Sequence, residues 1–174
     1  LGSLTFAWML LAGSCLGQAL VLKSGKRVPE AEITFDGDKL IRTLKIGGRT
    51  ATAVIPWENI SHMDWPEPKE LIEARELMAG ARYEEALERL KTAIVFFRKF
   101  EKVQGNWYPQ LFFTYVQTLN LAGKFDETVR LLPQLRAQPL TAEQKMALRI
   151  IQLDIDRRSS SEYASILEAA SAIL

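Results

Sequence analysis

The tripeptide Pro66-Glu67-Pro68 separates two stretches of the chain with different hydrophobic periods, and this change fixes the fold class to expect. Before it, apolar residues return at every second position, as in Ile33 and Phe35, or Ala51, Ala53 and Ile55. That is the period of a strand with one buried face. After it, Tyr83, Ala86, Leu87, Leu90, Ala93, Ile94 and Phe97 follow the i, i+3, i+4, i+7 stripe of an amphipathic helix. Pro66 suits the end of a strand and Pro68 the first turn of a helix. Strands first and helices afterwards predict an α+β chain, with a β unit over 20–65 and an α-helical unit over 67–174.

Five strands are predicted in the first unit, over 20–23, 27–35, 40–46, 50–55 and 60–65. Ser24-Gly25-Lys26, Asp36-Gly37-Asp38 and Gly47-Gly48 between them tolerate the positive φ of tight hairpins. Pro56-Trp57-Glu58-Asn59 reads as a single helical turn before the last strand. This layout, with Lys23-Ser24-Gly25-Lys26 at its opening and Ile55-Pro56 before the last turn, resembles the small SH3-like or Sm-like barrel. The resemblance implies a closed five-stranded antiparallel β-barrel. Sm-like proteins that bind RNA carry an Arg-Gly pair late in the barrel, where this chain has Ile55-Pro56-Trp57-Glu58. Nucleic acid is therefore not the expected partner, and it is kept as the alternative only if the chain is not exported. Trp57 and Trp65 read as packing residues between the two units rather than as an exposed aromatic site.

Six helices are predicted in the second unit, over 68–80, 83–101, 107–121, 125–138, 142–157 and 160–173. Thr141 with Gln144, and Ser159 with Glu162, have the capping-box spacing that marks helix starts. Two stretches are internally similar: Ala79-Gly80-Ala81-Arg82-Tyr83-Glu84-Glu85-Ala86 and Leu121-Ala122-Gly123-Lys124-Phe125-Asp126-Glu127-Thr128. Both resemble the turn between the paired helices of a tetratricopeptide repeat, in which a small residue admits close helix approach and an aromatic fills the gap. The resemblance implies a stack of helix pairs with a concave binding surface. By the register of that family, Leu71, Arg75 and Met78 of the first helix and Gln110, Phe113, Gln117 and Asn120 of the third face the groove. The alternative is that Met78 and Phe113 pack on another helix. Two departures stand out. The aromatics are 42 residues apart instead of the roughly 34 of that family, which predicts a long connection over 98–107. Pro133 should also kink or shorten the fourth helix.

Chemistry is sparse. A single His, a single Cys and a net charge of +1 exclude a Cys/His metal cluster, a disulfide framework and a strongly basic nucleic-acid surface. No Ser/His/Asp set, phosphate loop or dinucleotide fingerprint is present. Glu84-Glu85 and Asp126-Glu127 read as acids at helix starts, where the dipole favours them. No catalysis, cofactor or metal is expected. The expected function is non-catalytic binding of a protein or peptide partner in the cell envelope, or self-association. Residues 4–16 form an apolar run followed by Gly17-Gln18-Ala19, small residues that suit a signal-peptidase cut after Ala19. This predicts a signal peptide over 1–19, truncated at its start, and a bacterial periplasmic or secreted protein. Leu11-Ala12-Gly13-Ser14-Cys15 resembles a bacterial lipobox, which would place lipid on Cys15 and give the only membrane contact. The helical pattern runs to Leu174 without a cap.

Overall fold

The computed structural model describes residues 18–159. The predicted signal segment up to residue 17, Cys15 and the sixth helix over 160–173 lie outside the described residues. The chain runs β1 (Ala19–Leu22), β2 (Arg27–Pro29), β3 (Ile33–Asp36), β4 (Lys39–Ile46), β5 (Arg49–Ile55) and β6 (Ile60–Asp64). The helices follow: α1 (Lys69–Ala79), α2 (Tyr83–Arg98), α3 (Tyr108–Leu121), α4 (Phe125–Arg136) and α5 (Ala142–Ser159).

The α+β class holds, but the closed five-stranded barrel does not form. The described residues contain two three-stranded antiparallel sheets, ordered β2-β1-β6 and β3-β4-β5, and five helices rather than a six-helix array. The predicted strand over 27–35 breaks in two. Pro29 pairs with Ala19 at the end of the first ladder, and its missing amide cannot carry that ladder further. Glu30–Glu32 then form a 3₁₀ turn that hands the chain to the second sheet. On the far side β5 pairs with β4 alone among the described strands, so nothing closes the structure into a barrel. The predicted alternation on β5 is likewise not realised. Ile55 is buried opposite Leu40, whereas Ala51 and Ala53 are exposed because the β4–β5 hairpin projects past the core.

One continuous core joins sheets and helices. Leu20, Val28 and Leu40 from the strands belong to the same cluster as Leu71, Leu90, Leu111 and Leu135 from the helices. Its centre is aromatic. Phe100 lies 5.4 Å from Phe35, 6.0 Å from Trp57 and 5.5 Å from Trp65, and Trp65 stacks on Phe96 at 5.7 Å. Both tryptophans thus pack the strands against the end of α2. The α2–α3 connection is indeed long, and it is fastened to the last strand. The Met63 amide donates to Gln104 O at 2.8 Å, and the Trp107 indole donates to Trp65 O at 3.1 Å. Gly105, at φ +74°, approaches so closely that a Cβ there would stand 2.8 Å from Met63 O.

The two similar stretches form the same bend. Arg82 N donates to Leu77 O at 2.8 Å and Ala81 N to Met78 O at 3.0 Å. These bonds recur 42 residues on, from Lys124 N to Leu119 O at 2.9 Å and from Gly123 N to Asn120 O at 3.1 Å. The residue before each aromatic has nearly identical backbone angles, −88°/60° at Arg82 and −84°/62° at Lys124. This left-handed helix ending returns α2 along α1 and α4 along α3. Lys124 Nζ reaches Glu84 Oε2 at 2.7 Å, so the two bends lie side by side. Glu84 holds the Lys124 ammonium above its ordinary pKa, chiefly through this hydrogen bond. At the start of α5 the capping box is complete: Thr141 N donates to Gln144 Oε1 and Gln144 N to Thr141 Oγ1. The fourth helix passes through Pro133 and ends two residues before the expected 138. α4 continues to Arg136, with Pro133 on its exposed side, where water can satisfy the carbonyl left without an amide.

Candidate functional site

The bends set α2, α3 and α4 so that each contributes one stripe at helical spacing to a common groove of about 550 Å³. From α2 come Lys91, Ile94, Val95 and Arg98; from α3, Tyr108, Phe112 and Tyr115; from α4, Glu127, Arg130, Leu131 and Gln134. The floor is apolar. Tyr108 and Phe112 stack with their rings 11° from parallel and 5.6 Å between centroids, and the Tyr108 hydroxyl accepts from Gln134 Nε2 at 2.8 Å. Burial raises the pKa of both the Tyr108 and Tyr115 phenols, so both stay neutral at physiological pH. Val95 stands 69% exposed beside this floor.

The walls carry three cations and one carboxylate. Lys91 pairs with Glu88 at 2.7 Å across one helical turn, and this contact is exposed to solvent. The hydrogen bond that Lys91 donates to Glu88 leads in raising the Lys91 pKa, and Glu127 across the groove adds to it. Arg98 and Arg130 form no ion pair with any described residue. The lining therefore has an excess of positive charge over apolar ground.

The seven residues assigned to a groove from the repeat register lie elsewhere, on α1 and a different stripe of α3. Leu71 is fully buried and Phe113 is 6% exposed, so neither is open to a partner. Arg75 is occupied by Glu67. Met78 accepts from Thr118 Oγ1 at 3.1 Å, which ties α1 to α3, and Gln110 Oε1 accepts from Gln144 Nε2 at 2.6 Å, which ties α3 to α5. Gln117 and Asn120 are half-buried, and Asn120 Oδ1 is enclosed without a partner among the described residues. The structure thus gives this face inter-helix packing. The open groove lies beside it, on the side where α2 and α4 face each other. Val95 is the sequence signal for that groove, since it falls outside the core stripe of α2 yet is apolar.

His62 is exposed, with Nδ1 3.2 Å from Ser61 Oγ on the same strand. Among the described residues no group of three or more His, Cys, Asp or Glu is placed to hold a metal ion, and no helix is long and apolar enough to cross a membrane. Comparison with family models, with curated proteins and with solved structures finds no match for this chain.

Proposed function

We propose that this chain is a non-catalytic binding module: a tetratricopeptide-like pair of helical hairpins, clamped to two small sheets, that docks a protein segment in the α2–α3–α4 groove. The observation that carries the reading is the apolar lining of Ile94, Val95, Tyr115 and Leu131, each at least partly exposed between charged walls. A face of this kind costs free energy in water and is a common mark of an interaction site. The seven-residue face on α1 and α3 is a weaker candidate, because Arg75, Met78 and Gln110 are already engaged by Glu67, Thr118 and Gln144. Nucleic-acid binding through a small barrel loses its scaffold, since no barrel closes.

Export remains part of the proposal, on the strength of the apolar run over 4–16. Ala19 is 3% exposed and pairs with both Pro29 and Asp64. Processing that keeps Ala19 in the chain, as lipidation at Cys15 would, suits the fold better than a cut after it. The mass of the mature N-terminus decides between them.

Selection of helical peptides from a displayed library against the full chain tests the docking reading, with backbone amide shifts mapping the contact. Enriched peptides should shift Val95, Tyr115 and Leu131. Enrichment of none, or shifts confined to α1 or the sheets, would remove the reading.

A further inference from the structure

The groove is selective in charge as well as apolar, and the inference that follows rests on the docking reading above. We propose that its occupant is an amphipathic α-helix of a partner protein, with an apolar ridge flanked by carboxylates two turns apart.

The length and shape of the groove point to a helix. On α2 the order is Lys91, then Ile94 and Val95, then Arg98: a cation, two apolar residues and a cation on one face. Seven residues of helix rise about 10 Å, so the two cations bracket roughly the length of three apolar side chains at i, i+4 and i+7 on a helix lying alongside. The α4 wall presents Glu127, Arg130, Leu131 and Gln134 at the same helical spacing, and Tyr108, Phe112 and Tyr115 underlie both. Three parallel stripes form a trough for a rod, the helix-in-groove mode of recognition.

The sign of the charge points to acids. Glu127 is within electrostatic reach of Lys91 and offsets it, whereas Arg98 and Arg130 stand on opposite walls with no ion partner among the described residues. A guanidinium offers a planar fork that a carboxylate can meet with two hydrogen bonds. The Lys91–Glu88 contact lies within one helix and is exposed, so an incoming carboxylate exchanges it at little cost. A basic helix would set its cations against Arg98 and Arg130, which is how a rim rejects the wrong partner.

The test uses the full chain and two fluorescent 18-residue helical peptides with one leucine ridge, flanked by Glu in one and Lys in the other. Anisotropy at about 50 mM salt should show the Glu peptide binding at least about tenfold more tightly, with the ratio shrinking at about 500 mM as the rim is screened. The Arg98→Glu/Arg130→Glu double variant, altered only at exposed positions, should reverse the preference, and Val95→Asp should weaken both peptides. Equal binding of the two peptides overturns charge selection while leaving the docking site intact. Binding of neither, with a monomer in sedimentation, overturns the docking reading itself. A dimer that dissociates in the double variant makes the occupant a second copy and also overturns the proposal.

Discussion

Exchanging the residues at the left-handed position of the two bends should change stability in opposite directions. That position is Ala81 at φ +56° in the first bend and Gly123 at φ +75° in the second. The hydrogen bonds around them are the same, so only the side chain differs. A Cβ in this region costs roughly 1–2 kcal/mol, while glycine gives back about 0.4–1 kcal/mol through the freedom of the unfolded chain. Ala81→Gly should therefore stabilise by about 1 kcal/mol net. Gly123→Ala should destabilise by a similar amount and no more, because its Cβ would meet nothing nearer than the Phe125 ring at 3.8 Å. In the first bend the glycine sits one residue early, at Gly80, whose φ of −88° has no need of it. The double change Gly80→Ala/Ala81→Gly should gain a further few tenths of a kcal/mol. For a chain of this size each kcal/mol moves the melting temperature by about 2–4 °C, well within the resolution of calorimetry. A rise for neither single nor double variant at the first bend, beside a fall for Gly123→Ala, would show that the bends are not equivalent. The paired-hairpin reading would fall with that result.

Gly105→Ala should destabilise more than Gly123→Ala, by at least about 2 kcal/mol, since it adds a backbone clash with Met63 O to the same φ penalty; chemical denaturation of the two variants gives the comparison. Phe100→Ala should cost about 3–5 kcal/mol, and strand and helix signals should be lost together in one transition, because this ring touches Phe35, Trp57 and Trp65 as well as Phe96. Lys124→Ala, in contrast, removes a solvent-facing pair with Glu84 and should shift the melting temperature by no more than the small effect typical of surface pairs. Stability should also fall above about pH 10, the ordinary phenol pKa. Burial raises the pKa of Tyr115, so its contribution is complete below the unfolded value and is lost as pH climbs through the folded one. Melts at pH 9 and pH 11 should show a smaller alkaline loss in Tyr115→Phe than in the parent.

The bends were legible in the sequence because they are local. Gly123, the aromatic that follows and the paired acids act within a few residues of one another, and the capping box at Thr141 and Gln144 is equally self-contained. Closure of the strands was not legible, because strand pairing depends on distant partners. Ala51 and Ala53 alternate as a half-buried strand would, yet no layer of the described residues lies over them. Pro29 carried the correct warning, a residue that cannot extend a ladder, but the strand-rich residues around it masked the break. The long 98–107 connection was visible as a spacing, although its reason was not: those residues bind the edge of β6 through Gln104 and approach it through Gly105. For the groove, the repeat register selected the α1 and α3 residues that knit the helices together. The exposed apolar surface came from the opposite wall, where Val95 was the one residue out of step with its own helix.

A Pro-Glu-Pro link between two folded pieces would ordinarily serve as a swivel. Here the interlocked rings of Phe35, Trp57, Trp65, Phe96 and Phe100 immobilise that swivel. A helix docked between α2 and α4 as proposed would therefore be held at a set angle to the β4–β5 hairpin. Sheets and helices thus form one stiff bracket, not two beads on a string.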